Sequence, residues 1–321
     1  MSVLVTGAAG FIGSHVCHAL LNRGETVVGI DNINDYYDVR LKEARLAELT
    51  SRAGFRFLKL DFSDREAMQA LRSEDFTHII HLGAQAGVRY SLVNPYAYIS
   101  ANVMGHVVVL ELARQLKNLK NVVYASSSSV YGGNAKLPFT VGDPVDTPVS
   151  LYAATKRSDE LISHTYAHLY GIPQIGLRFF TVYGPWGRPD MAPFLFTRAM
   201  LAGEEIRVFN NGEMWRDFTY IDDIVAGVLA SMDTPPAQTP PHKVYNLGNN
   251  NSEKLTDFIA ALEDALGIKA KMRFEPMQPG DVVSTYADIE DTKRDLGFAP
   301  TTPISAGVPK FVEWYRSFYK A

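Results

Sequence analysis

Short apolar runs at Val3–Val5, Val27–Ile30, Arg56–Leu58, His78–His81 and Val122–Ala125 are each bounded by turn-forming residues. Between them, Ile12–Asn22, Leu41–Thr50, Arg65–Leu71 and Tyr98–Gln115 space their apolar positions three and four apart, as one face of a helix does. Buried strands alternating with helices predict an α/β protein with a doubly wound parallel sheet, covered by helices on both faces. Such a sheet takes its ligands beyond the carboxyl ends of its strands. From about Leu177 the texture changes, with Gly-, Pro- and Asn-rich loops at Gly184–Pro189, Asn210–Gly212, Pro235–Pro241 and Pro276–Gly280. The pattern predicts one domain over residues 1–176 and a smaller C-terminal α/β domain over 177–321, with the chain crossing between the two.

Composition narrows the possibilities. Lys and Arg number 31 against 35 Asp and Glu, a net charge of −4. The cations are dispersed, which argues against a nucleic-acid or membrane-surface partner. No apolar run approaches the ~20 residues of a membrane-spanning helix, and Ser2–Val5 reads as a strand without the basic start of a signal peptide. The single cysteine, Cys17, follows His15 and Val16 on an apolar helix and reads as an inert core thiol. A chain that cannot form an intramolecular disulfide is expected in a reducing, cytoplasmic compartment. His78 and His81 flank an apolar strand with no acidic or Cys partner at ligand spacing, so they read as core or cofactor-edge residues and no metal is expected.

The first candidate chemistry lies directly after the first strand, in Thr6-Gly7-Ala8-Ala9-Gly10-Phe11-Ile12-Gly13. Gly7 permits a tight turn, Gly10 a close approach of backbone to a pyrophosphate, and Gly13 close packing of helix on strand. The N–H groups at the start of the following helix, those of Phe11 and Ile12 among them, face the phosphates with a positive dipole end. This is the dinucleotide fingerprint of a Rossmann-type sheet. Asp31 ends the second strand, where a carboxylate accepts the adenosine ribose hydroxyls and repels a 2′-phosphate, which favours NAD over NADP; a solvated turn aspartate is the alternative. Asn32 assists it, Asp61 and Phe62 after the third strand lie toward the adenine, and Leu82 and Ala84 after the fourth pass the middle of the cofactor.

Tyr152-Ala153-Ala154-Thr155-Lys156 opens a helix after the Pro148 turn. Positions i and i+4 share a helix face, so the phenol and the ammonium are neighbours. A free tyrosine titrates near ~10, and making one a base at neutral pH takes about 4 kcal/mol of extra phenolate stabilisation. A nearby lysine and a positive nicotinamide ring supply that in a dehydrated cleft. Alone, the pair is also compatible with an inert exposed helix. The fifth strand, however, ends in Ser126-Ser127-Ser128-Ser129, which sets hydroxyls at the ligand end of the sheet.

Together, Thr6–Gly13, the serines leading into Val130-Tyr131-Gly132, and Tyr152 with Lys156 resemble the extended short-chain dehydrogenase/reductase family of sugar-nucleotide epimerases and dehydratases, over essentially the whole chain. The resemblance implies bound NAD, a UDP- or dTDP-sugar, a homodimer built through a four-helix bundle of the helices near Tyr98–Gln115 and Ser150–Tyr170, and a catalytic triad of Ser127, Tyr152 and Lys156. Dehydratases of the family carry an Asp-Glu pair just after the triad hydroxyl, and the related decarboxylases carry a Glu. Here Ser128 and Ser129 stand there, so elimination lacks its acid and base and C4 epimerisation is expected.

Thr181, in Leu177-Arg178-Phe179-Phe180-Thr181-Val182-Tyr183-Gly184-Pro185, replaces the usual Asn of the family. With Asn34-Asp35-Tyr36-Tyr37-Asp38 it resembles the UDP-glucuronate 4-epimerases, which convert UDP-glucuronate to UDP-galacturonate through a 4-keto sugar. Arg188 suits a C6 carboxylate, with Ser127, Ser128, Ser129 and Thr181 as further donors; an exposed loop charge or a contact to diphosphate are its alternatives. Arg216 matches a diphosphate-binding Arg of the family. Val208 and Phe209 match the segment where uracil docks, and Ala192 and Phe194 start a helix that faces phosphate. Gln278-Pro279-Gly280-Asp281 resembles a uridine-contacting loop but lacks the Arg the family often has before Gly-Asp. Arg89 either reaches the substrate or forms a structural salt bridge. Two other readings stay open: a UDP-glucose or UDP-N-acetylglucosamine 4-epimerase, and an NAD-sensing protein without turnover.

Overall fold

The computed structural model describes residues 1–278 and 280–321; Pro279, quoted above, lies outside the described residues. Seven strands form one parallel sheet: β1 Ser2–Thr6, β2 Thr26–Asp31, β3 Phe55–Lys59, β4 His78–His81, β5 Asn121–Ser127, β6 Gln174–Phe179 and a last strand, His242–Leu247. Their spatial order is the last strand, β6, β5, β4, β1, β2, β3. Chain order therefore reverses between β1 and β4, and a crevice opens beyond their carboxyl ends. This is a doubly wound, Rossmann-type sheet. Its central strands are almost wholly inaccessible, with Val3, Leu4, Val5, Ile79, Ile80, Val122 and Val123 at 0% exposure, as strands covered on both faces must be.

The strand His242–Leu247 completes the sheet beside β6 although it lies late in sequence. The remainder of the second half is built from small pairs: Thr181–Tyr183 on Phe218–Tyr220, Trp215–Arg216 on Glu253–Lys254, and Glu205–Val208 on Lys271–Phe274. Helices Ala192–Leu201, Leu255–Leu266 and Ile304–Tyr319 pack around them. A belt of aromatic rings (Phe194, Trp314, Tyr315, Tyr319 and Trp186) joins this layer together.

The stretch Pro95–Ala113, where the sequence pattern predicts a helix over Tyr98–Gln115, forms 19 continuous helical residues, long and apolar enough to cross a membrane by those measures, which the sequence reading did not expect. Half of it is buried inside the protein, as in the core helix of a globular domain. Its middle, Ile99–Met104, is wound as a π-helix, a local widening often found beside functional sites.

Candidate active site

The turn after β1 is shaped by contacts that exclude side chains. Gly7 sits at φ +70°, and a Cβ there would lie 2.8 Å from the Cα of Gly83. A Cβ on Gly13 would lie 2.0 Å from the Gly7 carbonyl oxygen, so helix α1 (Phe11–Asn22) can approach β1 this closely only with glycine. The first N–H groups of α1, on Phe11, Ile12 and Gly13, meet no acceptor among the described residues. They are free for an anion. Asp31 closes the same crevice: its carboxylate accepts from Ala9 N at 3.2 Å and Ile33 N at 2.8 Å, and burial raises its pKa. Asn32 donates to Asp61 at 2.8 Å. A glycine cradle, orphaned helix N–H groups and a carboxylate at the end of β2 fit a dinucleotide.

At two of the expected cofactor positions the side chain lies in the core. The ring of Phe62 is buried between Gly83, Gly105 and His81, and that of Phe11 is 5% exposed and set edge-on to His15. His81 Nδ1 and the Thr6 hydroxyl share a hydrogen bond of 2.7 Å, and burial lowers the His81 pKa to about 3, so it is a neutral core residue.

The helix Leu151–Tyr170 starts at Ser150, whose hydroxyl accepts from Ala153 N at 3.1 Å. That cap fixes Tyr152 in the first turn, partly buried and edge-on to Tyr98, while Lys156 is carried inside at 3% exposure. Lys156 Nζ donates to the Ala125 carbonyl at 2.8 Å and to Asp159 at 3.1 Å. Ser127 ends β5; its Oγ lies 3.1 Å from the Ser129 hydroxyl and accepts from Ser129 N. The preceding Ser126 is diverted to Glu160 at 2.7 Å and belongs to a buried network with Arg178.

A residue that sequence reading missed holds this arrangement. Asn102, in the π-helical turn, accepts from Gln85 N at 2.8 Å and donates to Gln85 O and to Thr155 Oγ1, both at 3.0 Å. It thereby ties the loop after β4 to the helix bearing Tyr152. An asparagine within an apolar helix was the available signal.

Arg188 is half-buried and forked onto Asp190, with Nε at 3.0 Å and Nη2 at 2.5 Å; Asp190 also accepts from Tyr36 at 3.2 Å. Tyr152 is among the groups whose proximity holds the guanidinium protonated, which puts Arg188 on the catalytic side. Thr181 stands nearby in a short strand, its N–H bonded to the Asp217 carbonyl. A second missed residue, Arg45, supports the loop: from helix α2 (Val39–Thr50) it donates to Ala9 O at 3.0 Å and Trp186 O at 2.6 Å. It is 1% exposed.

Among the described residues Arg216 donates to the carbonyls of Trp215 and Val283, and burial together with Arg89 lowers its pKa. Arg89 pairs with Asp281 at 3.1 Å and lies over the Phe209 ring at 5.0 Å. Arg89 is thus both in a salt bridge and beside the expected uracil segment. Two guanidiniums against one carboxylate leave net positive charge for a diphosphate. Val208 is fully buried, and Phe194 is locked among Tyr315 and Tyr319 with its N–H on Met191 O. Both side chains sit in the core, and Ala192 opens the helix Ala192–Leu201.

Residues 3–248 match the model of the NAD dependent epimerase/dehydratase family. The chain is 49% identical to UDP-glucuronate 4-epimerase 4 of Arabidopsis thaliana, across 99% of this chain and 76% of that protein. A UDP-glucuronic acid 4-epimerase from Bacillus cereus, solved with UDP-glucuronic acid and NAD, superposes with a TM-score of 0.93 at 35% identity, covering 99% of this chain and all of that one. A UDP-glucose 4-epimerase from Thermotoga maritima gives a TM-score of 0.89 at 30% identity, with the same coverage.

Proposed function

The chain belongs to the NAD-dependent epimerase/dehydratase family, and from that premise we propose that it inverts C4 of UDP-glucuronate to give UDP-galacturonate. NAD, when bound, takes the C4 hydride and returns it to the opposite face of a 4-keto sugar. In this reading Tyr152 removes the C4 hydroxyl proton and later gives it back, Lys156 stabilises the phenolate, and Ser127 holds the hydroxyl in line. Arg216 and Arg89 receive the diphosphate, with Asp281 and Phe209 on the uridine side.

One observation carries the substrate choice: a half-buried Arg188 on the catalytic side whose carboxylate partner is supplied by the protein itself, two residues away. A substrate carboxylate replaces Asp190 there, joined by Ser127, Ser128, Ser129 and Thr181. The grip has a purpose. Oxidising C4 makes a β-keto acid, which loses CO₂ when the C5–C6 bond stands perpendicular to the carbonyl plane; several fixed donors on the carboxylate keep the bond near that plane. The absence of an acid or base side chain at positions 128 and 129 supports epimerisation over elimination.

The test is to incubate UDP-glucuronate and UDP-glucose separately with the protein and follow C4 configuration by NMR. Turnover of UDP-glucuronate is expected. Turnover of UDP-glucose alone would establish the alternative reading, and no turnover of either would favour the sensor.

The same reading includes a homodimer. Tyr96, Ile99 and Met104 on one helix and Leu161, Leu169 and Tyr170 on the next are large apolar side chains left at 45% exposure or more, a patch that a twofold mate would cover. Sedimentation should give twice the monomer mass, and Leu161→Glu should halve it. The single buried cysteine suits a reducing, cytoplasmic setting.

A further inference from the structure

Beside Lys156 lies a buried acid with no part in the chemistry described so far. Asp159 sits one helical turn further on, its Oδ2 accepting from the ammonium at 3.1 Å, and the two side chains are 2% and 3% exposed. Its other oxygen, Oδ1, has no hydrogen-bond partner among the described residues. An unsatisfied carboxylate oxygen in a sealed compartment is costly, and a neutral side chain would fill the space without that cost. Burial outweighs the attraction of Lys156 and pushes the Asp159 carboxyl up to about 7.

The other titratable groups facing this pair are already compensated or neutral. Glu160, on the same helix, is paired with Arg178 from β6 and with Arg157. His81 from β4 and His106 from the Pro95–Ala113 helix are kept neutral by burial and by the ammonium itself. Tyr124 from β5 is a buried phenol held protonated. Among the described residues, Lys156 and Asp159 are therefore the two groups facing one another whose charges are balanced only by each other. Of the three ammonium protons, one goes to Ala125 O and one to Asp159, which leaves one for the catalytic side.

We propose that Asp159 is a positioning residue for the reaction. It holds the Lys156 ammonium against the end of β5 and divides its charge, so that Lys156 stabilises the Tyr152 phenolate less than a lone ammonium would. A base too strongly stabilised is a weak base, and proton transfer is fastest when acid and base strengths are matched near the working pH. This inference rests on the assignment of Tyr152 and Lys156 above.

Asp159→Asn keeps an oxygen for Nζ and removes the charge. In this variant the acidic limb of the kcat/KM profile for UDP-glucuronate should move to lower pH by about one unit, a tenfold change in proton affinity. Asp159→Glu, which restores the charge, should return the limb toward its wild-type position. A second readout needs no turnover: phenolate absorbance of each protein, minus that of its Tyr152→Phe counterpart, titrated in the NAD-bound state, should shift by the same amount. If Asp159→Asn does not fold, the small neutral Asp159→Ser takes its place in both measurements. A folded neutral variant whose limb and phenolate midpoint both coincide with wild type overturns the proposal. Failure of the underlying assignment is separately visible, because Tyr152→Phe would then turn over at full speed.

Discussion

At the scale of single residues, the site is a set of charges whose partners decide what each can do. Lys156 and Tyr152 are set by a capped helix start, and removing the phenolic oxygen should cost the reaction its proton acceptor. Tyr152→Phe is expected to lower kcat by about 10²–10⁴-fold with little change in NAD affinity by titration calorimetry; an intact rate would remove the tyrosine from the mechanism. Arg188 presents a different balance. Asp190 occupies Nε and Nη2, so an incoming carboxylate exchanges one anion for another and gains less than a bare guanidinium would offer. Arg188→Ala should still remove about 1.5–3 kcal/mol of charge-assisted hydrogen bonding, a roughly 10- to 150-fold rise in KM for UDP-glucuronate. If the carboxylate then swings out of plane, UDP-pentose should appear among the products by mass spectrometry. Epimerisation at wild-type KM with no UDP-pentose would separate Arg188 from the carboxylate.

At the scale of elements, the cofactor turn and the substrate loop are joined by one side chain. Arg45 reaches from α2 to carbonyls in both, Ala9 in the glycine-rich turn and Trp186 and Gly187 in the loop that carries Arg188. Trp186 sits at φ 63°, a conformation that a non-glycine residue holds only when its surroundings impose it. Arg45→Met would leave these carbonyls without their donor at about 1–3 kcal/mol for each one that stays buried. A drop in melting temperature of roughly 4 °C or more is expected, together with raised KM for UDP-glucuronate and weaker NAD binding; an effect on only one ligand would mean the two loops are independent.

This tie also marks what the sequence could and could not reveal. The strands, the glycine turn, Ser127 and the Tyr152–Lys156 pair are local patterns, written in spacing over a few residues, and the chain could be read for them directly. Arg45, Asn102, the Arg178–Glu160 pair and the hold of Asp190 on Arg188 depend on which segments the fold brings together. The burial of the Phe194, Val208 and Phe62 side chains is likewise set by packing between distant segments. Val208 ends a strand, Phe194 lies in the first turn of a helix and Phe62 in the turn after β3, and each is turned into the core.

At the scale of the whole molecule, burial of ionisable groups sets how stability responds to pH. Burial lowers His81 to about 3 and His15 and His242 to about 4, and His106 is also held well below its usual value. Below about 6.5 the unfolded chain takes up protons that these native imidazoles refuse, so they withdraw stability as the pH falls from about 6.5 toward 4. Asp159 and Asp217 act with the opposite sign. Burial raises them to about 7 and about 6, so the native state keeps protons that the unfolded chain has released, and they withdraw stability as the pH rises through those values. Acidification from pH 7 to 5 therefore sets at least four histidines losing against two aspartates gaining. The histidines outweigh the acids, and the melting temperature should fall by roughly 3 °C or more over that interval. Asp159→Asn removes one of the two opposing contributions and should steepen the fall. A melting temperature that stays level from pH 7 to 5 in both proteins would mean that the imidazoles are solvated enough to take up protons without unfolding the core.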